Sequence, residues 1–88
     1  MPGVYDAVFG VLTGTLAVPP AEVGPQRQLD ALHLDSLARA ELALTLKELL
    51  GVPCSDHDVP ATATVGGLAA LLDDRLADRT RAPGGEAP

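Results

Sequence analysis

Apolar residues recur along this chain at helical spacing in three stretches, separated by segments rich in proline, glycine and small polar residues. In the first, from about Val4 to Ala17, Val4, Val8, Val11, Leu12 and Thr15 or Leu16 follow at three- and four-residue steps, which predicts an amphipathic helix. Gly10 and Gly14 weaken it, each by roughly 1 kcal/mol relative to alanine, and Pro19-Pro20 stops it. The second stretch, Ser36 to Leu50, has the clearest pattern. Asp35 precedes it as an N-cap whose carboxylate can accept a bond from a free first-turn amide. Leu42, Leu46, Leu49 and Leu50 form the expected buried stripe; Gly51 stands at the C-cap, and Pro53 prevents continuation. The third stretch, Val65 to Arg79, follows Thr64 as N-cap and puts Val65, Leu68, Ala69, Leu72 and Leu76 on one face. Gly66 and Gly67 soften its first turn and leave room for another helix to approach. Arg75 and Arg79 lie where cations favour a helix C-terminus.

The connecting segments are unequal. Val18 to Leu34 reads as a long loop, with Pro19, Pro20, Gly24 and Pro25 early and Leu29, Leu32 and Leu34 late. Loops of this length in a small domain are often functional. The three leucines are expected to pin it to the core, the alternative being a further, weakly patterned helix. Cys54 to Ala63 is short and polar: Ser55 or Asp56 is placed to cap one turn running through Val59 and ended by Pro60. Residues 80–88 carry no large apolar side chain and are expected to be a disordered tail. The expectation is therefore an all-α domain over residues 1–79, a small antiparallel bundle of three main helices plus one short one.

Composition supports that reading. Of 88 residues, 47% are apolar, enough for a core, but Tyr5 and Phe9 are the only aromatics, so Leu, Val and Ala must fill it. A chain this small buries a modest core. Twelve acidic and six basic residues give a net charge of -6, against nucleic acid or an anionic membrane and in favour of partners with basic patches. Cys54 is the single cysteine, so no internal disulfide forms and a reducing cytoplasm is the expected setting. No signal peptide and no apolar run near 18 residues is visible.

Ser36 is the leading candidate for chemistry. At the first turn of a helix that follows a loop, its hydroxyl is expected to be exposed, beside unpaired amides and the positive end of the helix dipole. That setting suits a phosphodiester. Asp35-Ser36 taken alone is equally a simple cap. His33, Asp35 and Ser36 contain the residue types of a hydrolytic triad, but triad members normally come together from distant positions, so an enzyme is not expected. Cys54 and His57, near Asp56 and Asp58, are too few for a metal site and lack a base that would make Cys54 a nucleophile.

The stretch Leu32-His33-Leu34-Asp35-Ser36-Leu37-Ala38-Arg39-Ala40-Glu41-Leu42 resembles the attachment site of acyl carrier proteins and their peptidyl and aryl relatives. Leu32 stands where that family keeps an apolar residue, and Glu41-Leu42 matches its usual Glu-Leu. Gly51-Val52, Val59 and Thr64-Val65 match later junctions, so the resemblance covers roughly residues 4–77. His33 departs from it, occupying a position that is usually glycine. The resemblance implies a carrier, not an enzyme, with 4'-phosphopantetheine covalently attached to Ser36, Asp35 helping to dock the transferase and orient the arm, and Leu37 giving the arm an apolar contact. It implies a partner-reading face on the second helix, here Leu37, Ala38, Glu41, Leu44, Lys47 and Glu48, whose mixed charge suggests a dedicated partner set. The implied partners are a phosphopantetheinyl transferase using Mg2+, an acyl-loading ligase or acyltransferase, and a ketosynthase or condensation enzyme, met by a cytoplasmic monomer. Polyketide, lipopeptide or fatty-acyl synthesis is the expected setting. The alternatives are a peptidyl or aryl carrier, disfavoured because the Gly-Gly of that motif is lacking, and a helical adaptor that never carries the arm.

Overall fold

The computed structural model describes residues 3–86, with side chains described as far as Asp78. Three helices form the fold: α1 (Val4–Gly10), α2 (Ser36–Leu50) and α3 (Val65–Glu86). Short π and 3-10 turns and an isolated antiparallel bridge between Gln28 and Thr64 stand beside them, with no strand among the described residues. The all-helical class is as the sequence predicts. The short fourth helix is a single 3-10 turn, Asp56–Asp58. No described helix is long and apolar enough to cross a membrane.

The first helical stretch changes character part-way. After Gly10 the chain widens into a π-helical turn, Val11–Thr15, in which the Leu16 amide donates to the Val11 carbonyl at 3.1 Å. Ala17, left-handed at φ 58°, then turns the chain, and the Val18 amide reaches the Leu12 carbonyl at 2.8 Å. Widened turns of this kind leave the chain free to leave the helix at a steeper angle. Val4, Val8, Val11 and Leu12 are buried, as the spacing predicts.

The long connection is ordered by backbone pairing. It contains two 3-10 turns, Pro20–Glu22 and Leu29–Leu32. Between them the chain runs across the N-terminus of α3. The Val65 amide donates to the Arg27 carbonyl at 2.9 Å and the Gly66 amide to the Pro25 carbonyl at 2.8 Å. On the other side, the Leu29 and Asp30 amides donate to the carbonyls of Ala63 and Ala61, at 2.9 and 3.1 Å. First-turn amides of a helix have no partner within the helix; here a loop supplies it. Thr64 adds the expected cap, its Oγ1 accepting from the Gly67 amide at 3.0 Å. The close approach foreseen at Gly66 is therefore made by the loop at Pro25, not by another helix. The three leucines do pin the loop: Leu29, Leu32 and Leu34 are all buried.

Two further expectations are corrected. Leu49 does not join the α2 stripe. It is 60% exposed, and Ala43 is buried with Leu42 and Leu46 instead. At Leu49 the helix borders an open cleft of about 490 Å³, lined also by Val4, Leu50 and Leu76, where no element closes over it. Arg75 is not a helix-terminal cation. The backbone of α3 continues past Arg79 to Glu86, since extending a nucleated helix adds one bond per residue. Arg75 instead makes two bonds to the Asp58 carboxylate, at 2.8 and 3.0 Å, and one to the Pro53 carbonyl at 2.9 Å. The boundary expected at 79/80 and the first part of the tail expected to be disordered thus fall on helical backbone, while residues 87 and 88, and side chains from residue 79, lie outside the described residues.

Two predictions follow from this packing. A Cβ at Gly66 would stand 2.8 Å from the Pro25 oxygen, whereas one at Gly10 meets nothing within 4 Å. Gly66→Ala should therefore lower the urea midpoint, by about 1–3 kcal/mol of overpacking, while Gly10→Ala raises it by up to about 1 kcal/mol. The Arg75 guanidinium and the Ser55 amide hold the Asp58 carboxyl down to about 2, below the usual 3.8. The folded state thus favours the ionised form, so the pairing stabilises above about pH 4 and its contribution is lost as pH falls through about 2. Arg75→Gln should cost about 1 kcal/mol near neutrality, with the gap to wild type closing in acid, read by denaturation at each pH.

Candidate functional site

The site is built around the junction of the long connection with α2. Leu32 and Leu34 are buried, so the residues between and after them are held at the surface. His33, between the two, is exposed and left-handed at φ 62° and ψ 33°. This explains the glycine expected there: such a conformation suits glycine and only a minority of other residues, histidine among them. Asp35 then caps α2, its Oδ1 accepting from the Ala38 amide at 2.8 Å while its carbonyl accepts from the Arg39 amide at 2.9 Å.

Ser36 is the first residue of α2 and is exposed. Among the described residues, its amide and that of Leu37 donate to no protein acceptor. These are the orphan donors that make a helix N-terminus receptive to an anion. Arg39 strengthens the local positive field. Its Nη1 donates to the Leu34 carbonyl at 2.8 Å, and no carboxylate pairs with it among the described residues. Sequence reading missed this tether; the signal was a cation three residues after the serine, one turn along the same helix. The site therefore fits a phosphodiester on the serine: an accessible hydroxyl, two free amides, and a guanidinium one turn away.

Of the predicted recognition residues, Leu37, Glu41, Leu44, Lys47 and Glu48 are exposed, and Ala38 is half-buried against the core. Leu37, at 74% exposure, and Leu44, at 53%, share a ridge of α2 with Glu41 and Glu48. Exposed leucines framed by carboxylates form an amphipathic strip.

No hydrogen bond links the side chains of His33, Asp35 and Ser36, and the capping oxygen of Asp35 is occupied by the Ala38 amide. Cys54 is buried, and burial, assisted by the Asp58 charge, pushes its thiol up and away from the reactive thiolate. His57 is exposed, 3.9 Å from Asp56.

A family model described as the phosphopantetheine attachment site matches residues 6–72. The chain belongs to this carrier family. The match runs from α1 to Leu72, the last buried residue of α3 among those described, and so takes in every core residue but Val4, together with the Ser36 junction. The family's cofactor is a covalent 4'-phosphopantetheine, which the donors around Ser36 fit. Among curated proteins, the chain is similar to the meromycolate extension acyl carrier protein of Mycobacterium tuberculosis, 26% identical over 70 residues, covering 78% of this chain and 61% of that protein. It is 30% identical over 63 residues to proteins of the same description from Mycolicibacterium aurum and Mycolicibacterium smegmatis, covering 70% of this chain and 65% and 64% of theirs. The chain thus spans about six-tenths of the length of the first of these relatives. No solved structure matches it.

The left-handed backbone at His33 yields a test. His33→Gly removes a side-chain strain of about 1–2 kcal/mol but loosens the unfolded chain by roughly 0.5–1 kcal/mol. It should leave stability unchanged or raise it slightly. His33→Val should lower it by about 1–3 kcal/mol, because a β-branched residue tolerates this conformation worst. Thermal unfolding of the two variants distinguishes them.

Proposed function

We propose that Ser36 carries the 4'-phosphopantetheine arm and that the chain carries acyl groups between partner enzymes. The observation that supports this most is the exposed Ser36 hydroxyl at the capped start of α2, beside two unpaired amides, inside the span matched by the family. In the loading step, a phosphopantetheinyl transferase with its Mg2+ brings coenzyme A to this hydroxyl. The Ser36 Oγ forms a bond to the phosphorus that bears the pantetheine. The bond from that phosphorus to the adenosine bisphosphate breaks, and the serine proton passes to a base of the transferase. Once bound, the arm supplies a thiol that holds an acyl group as a thioester. The chain's own residues then act by position. Asp35 fixes the first turn and so the direction in which Oγ points. The amides of Ser36 and Leu37 and the Arg39 guanidinium offset the phosphodiester charge.

Partner recognition falls to α2. Leu37 and Leu44 offer apolar contact, with Leu37 also beside the arm, while Glu41 and Glu48 favour basic rims and Lys47 makes the pattern selective. Ala38, half-buried, lets a partner come close to the helix backbone. The names of the relatives favour an acyl rather than a peptidyl or aryl cargo, and chain extension beside a condensing enzyme in the cytoplasm. An acyl-loading ligase or acyltransferase supplies the cargo, in a fatty-acyl, polyketide or lipopeptide pathway.

Intact mass after incubation with coenzyme A and a broad-specificity phosphopantetheinyl transferase tests this. The wild type should gain one phosphopantetheine and Ser36→Ala none. A folded wild type that gains nothing would leave the helical adaptor as the better reading.

A further inference from the structure

We propose that the cleft beside Ser36 is the resting seat of the pantetheine arm. The inference rests on Ser36 as the attachment residue. The cleft, of about 410 Å³, lies between the end of the first helical stretch and the segment that leads into α2. Its volume falls within the roughly 300–1,000 Å³ of small-molecule sites. Asp35, the residue next to Ser36, forms one edge of it. An arm tethered there meets the cleft at high effective concentration, without the entropy loss of a free ligand.

Backbone strain marks the same place. The two non-glycine residues with left-handed backbone among those described are Ala17 and His33, and both line this cleft from opposite sides. Such conformations are unfavourable for residues with a side chain and gather at ligand sites.

The chemistry of the walls matches the middle of the arm rather than its phosphate. Leu16, Val18 and Leu34 give apolar surface for the geminal methyl groups. Glu22 is half-buried on the wall, and its carboxylate makes no hydrogen bond or ion pair within the described residues. It is an acceptor suited to the hydroxyl and amide N–H groups of pantetheine, which carry no charge to repel it. His33, exposed, adds a further polar group to the lining. The anionic end stays outside, at the amides of Ser36 and Leu37. The cleft at Leu49 is larger, but it lies at the other end of α2, about 20 Å along the helix.

The test uses the full chain, loaded by a transferase from coenzyme A, with completion read by mass and the arm followed by methyl and amide NMR. Expected are contacts between the geminal methyls and the methyls of Val18 and Leu34, shifts at Glu22 and His33 between unloaded and loaded protein, and loss of those contacts in loaded Glu22→Ala. Glu22 is a surface acceptor outside the core, and unchanged α2 and α3 amide shifts confirm that this variant is folded. Full loading with shifts confined to residues 35–38, or with contacts to Leu42 or Leu68 inside the bundle, overturns the seat alone. Contacts that persist undiminished in Glu22→Ala overturn the part assigned to its carboxylate. Absence of any mass gain overturns the attachment at Ser36 and the seat with it.

Discussion

The structure depends on a loop satisfying the start of a helix. The amides of Val65 and Gly66 cannot bond within α3, and the carbonyls of Arg27 and Pro25 take them. The contact is possible because residue 66 has no side chain. From it the rest follows. With the chain held at Pro25 and Arg27, Leu29 and Leu32 drop into the core, the turn at His33 is forced into its left-handed form, and Leu34 reaches its buried position. Asp35 and Ser36 then stand at the surface in fixed register with α2. A long loop that would otherwise cost considerable chain entropy becomes the scaffold for one hydroxyl.

The start and the outer face of α2 divide the labour. Its start is rigid and polar: a carboxylate cap, a guanidinium tied back to the Leu34 carbonyl, and free amides facing solvent. Its outer face is soft and amphipathic, with Leu37 and Leu44 fully available to a partner. A carrier needs both. On the reading proposed above, the anchor at Ser36 presents the same geometry to every enzyme, whereas the α2 strip binds each one weakly enough to let go.

What was legible in the sequence was what local chemistry determines. Asp35 and Gly51 delimit α2 because caps act over three or four residues, and both perform as their types require. Thr64 opens its turn for the same reason, whereas at Ser55 the Asp58 carboxylate accepts from the Ser55 amide. Leu29, Leu32 and Leu34 could be assigned to the core from composition alone. The exposure of Ser36 followed from its place after a cap. What was not legible depends on residues distant in the chain. Gly66 was seen as a gap, but only the fold reveals that Pro25 fills it. Arg75 finds Asp58 across the bundle, which no dipole argument at a helix end anticipates. Leu49 lies on the apolar side of α2 yet opens to a cleft, because burial requires an element on the other side. The π turn at Val11–Thr15 leaves no mark in apolar spacing, since one extra residue per turn still buries Val11 and Leu12.

The burial of Cys54 has a consequence for loyalty of cargo. A thioester surrenders its acyl group to any thiolate that can reach it. This chain has one sulfhydryl of its own, on a residue only 7% exposed, with burial and the Asp58 charge keeping its proton on. The polypeptide is thereby chemically silent toward whatever hangs from it. On the proposed reading, freight held on the arm meets little competition from the hull itself.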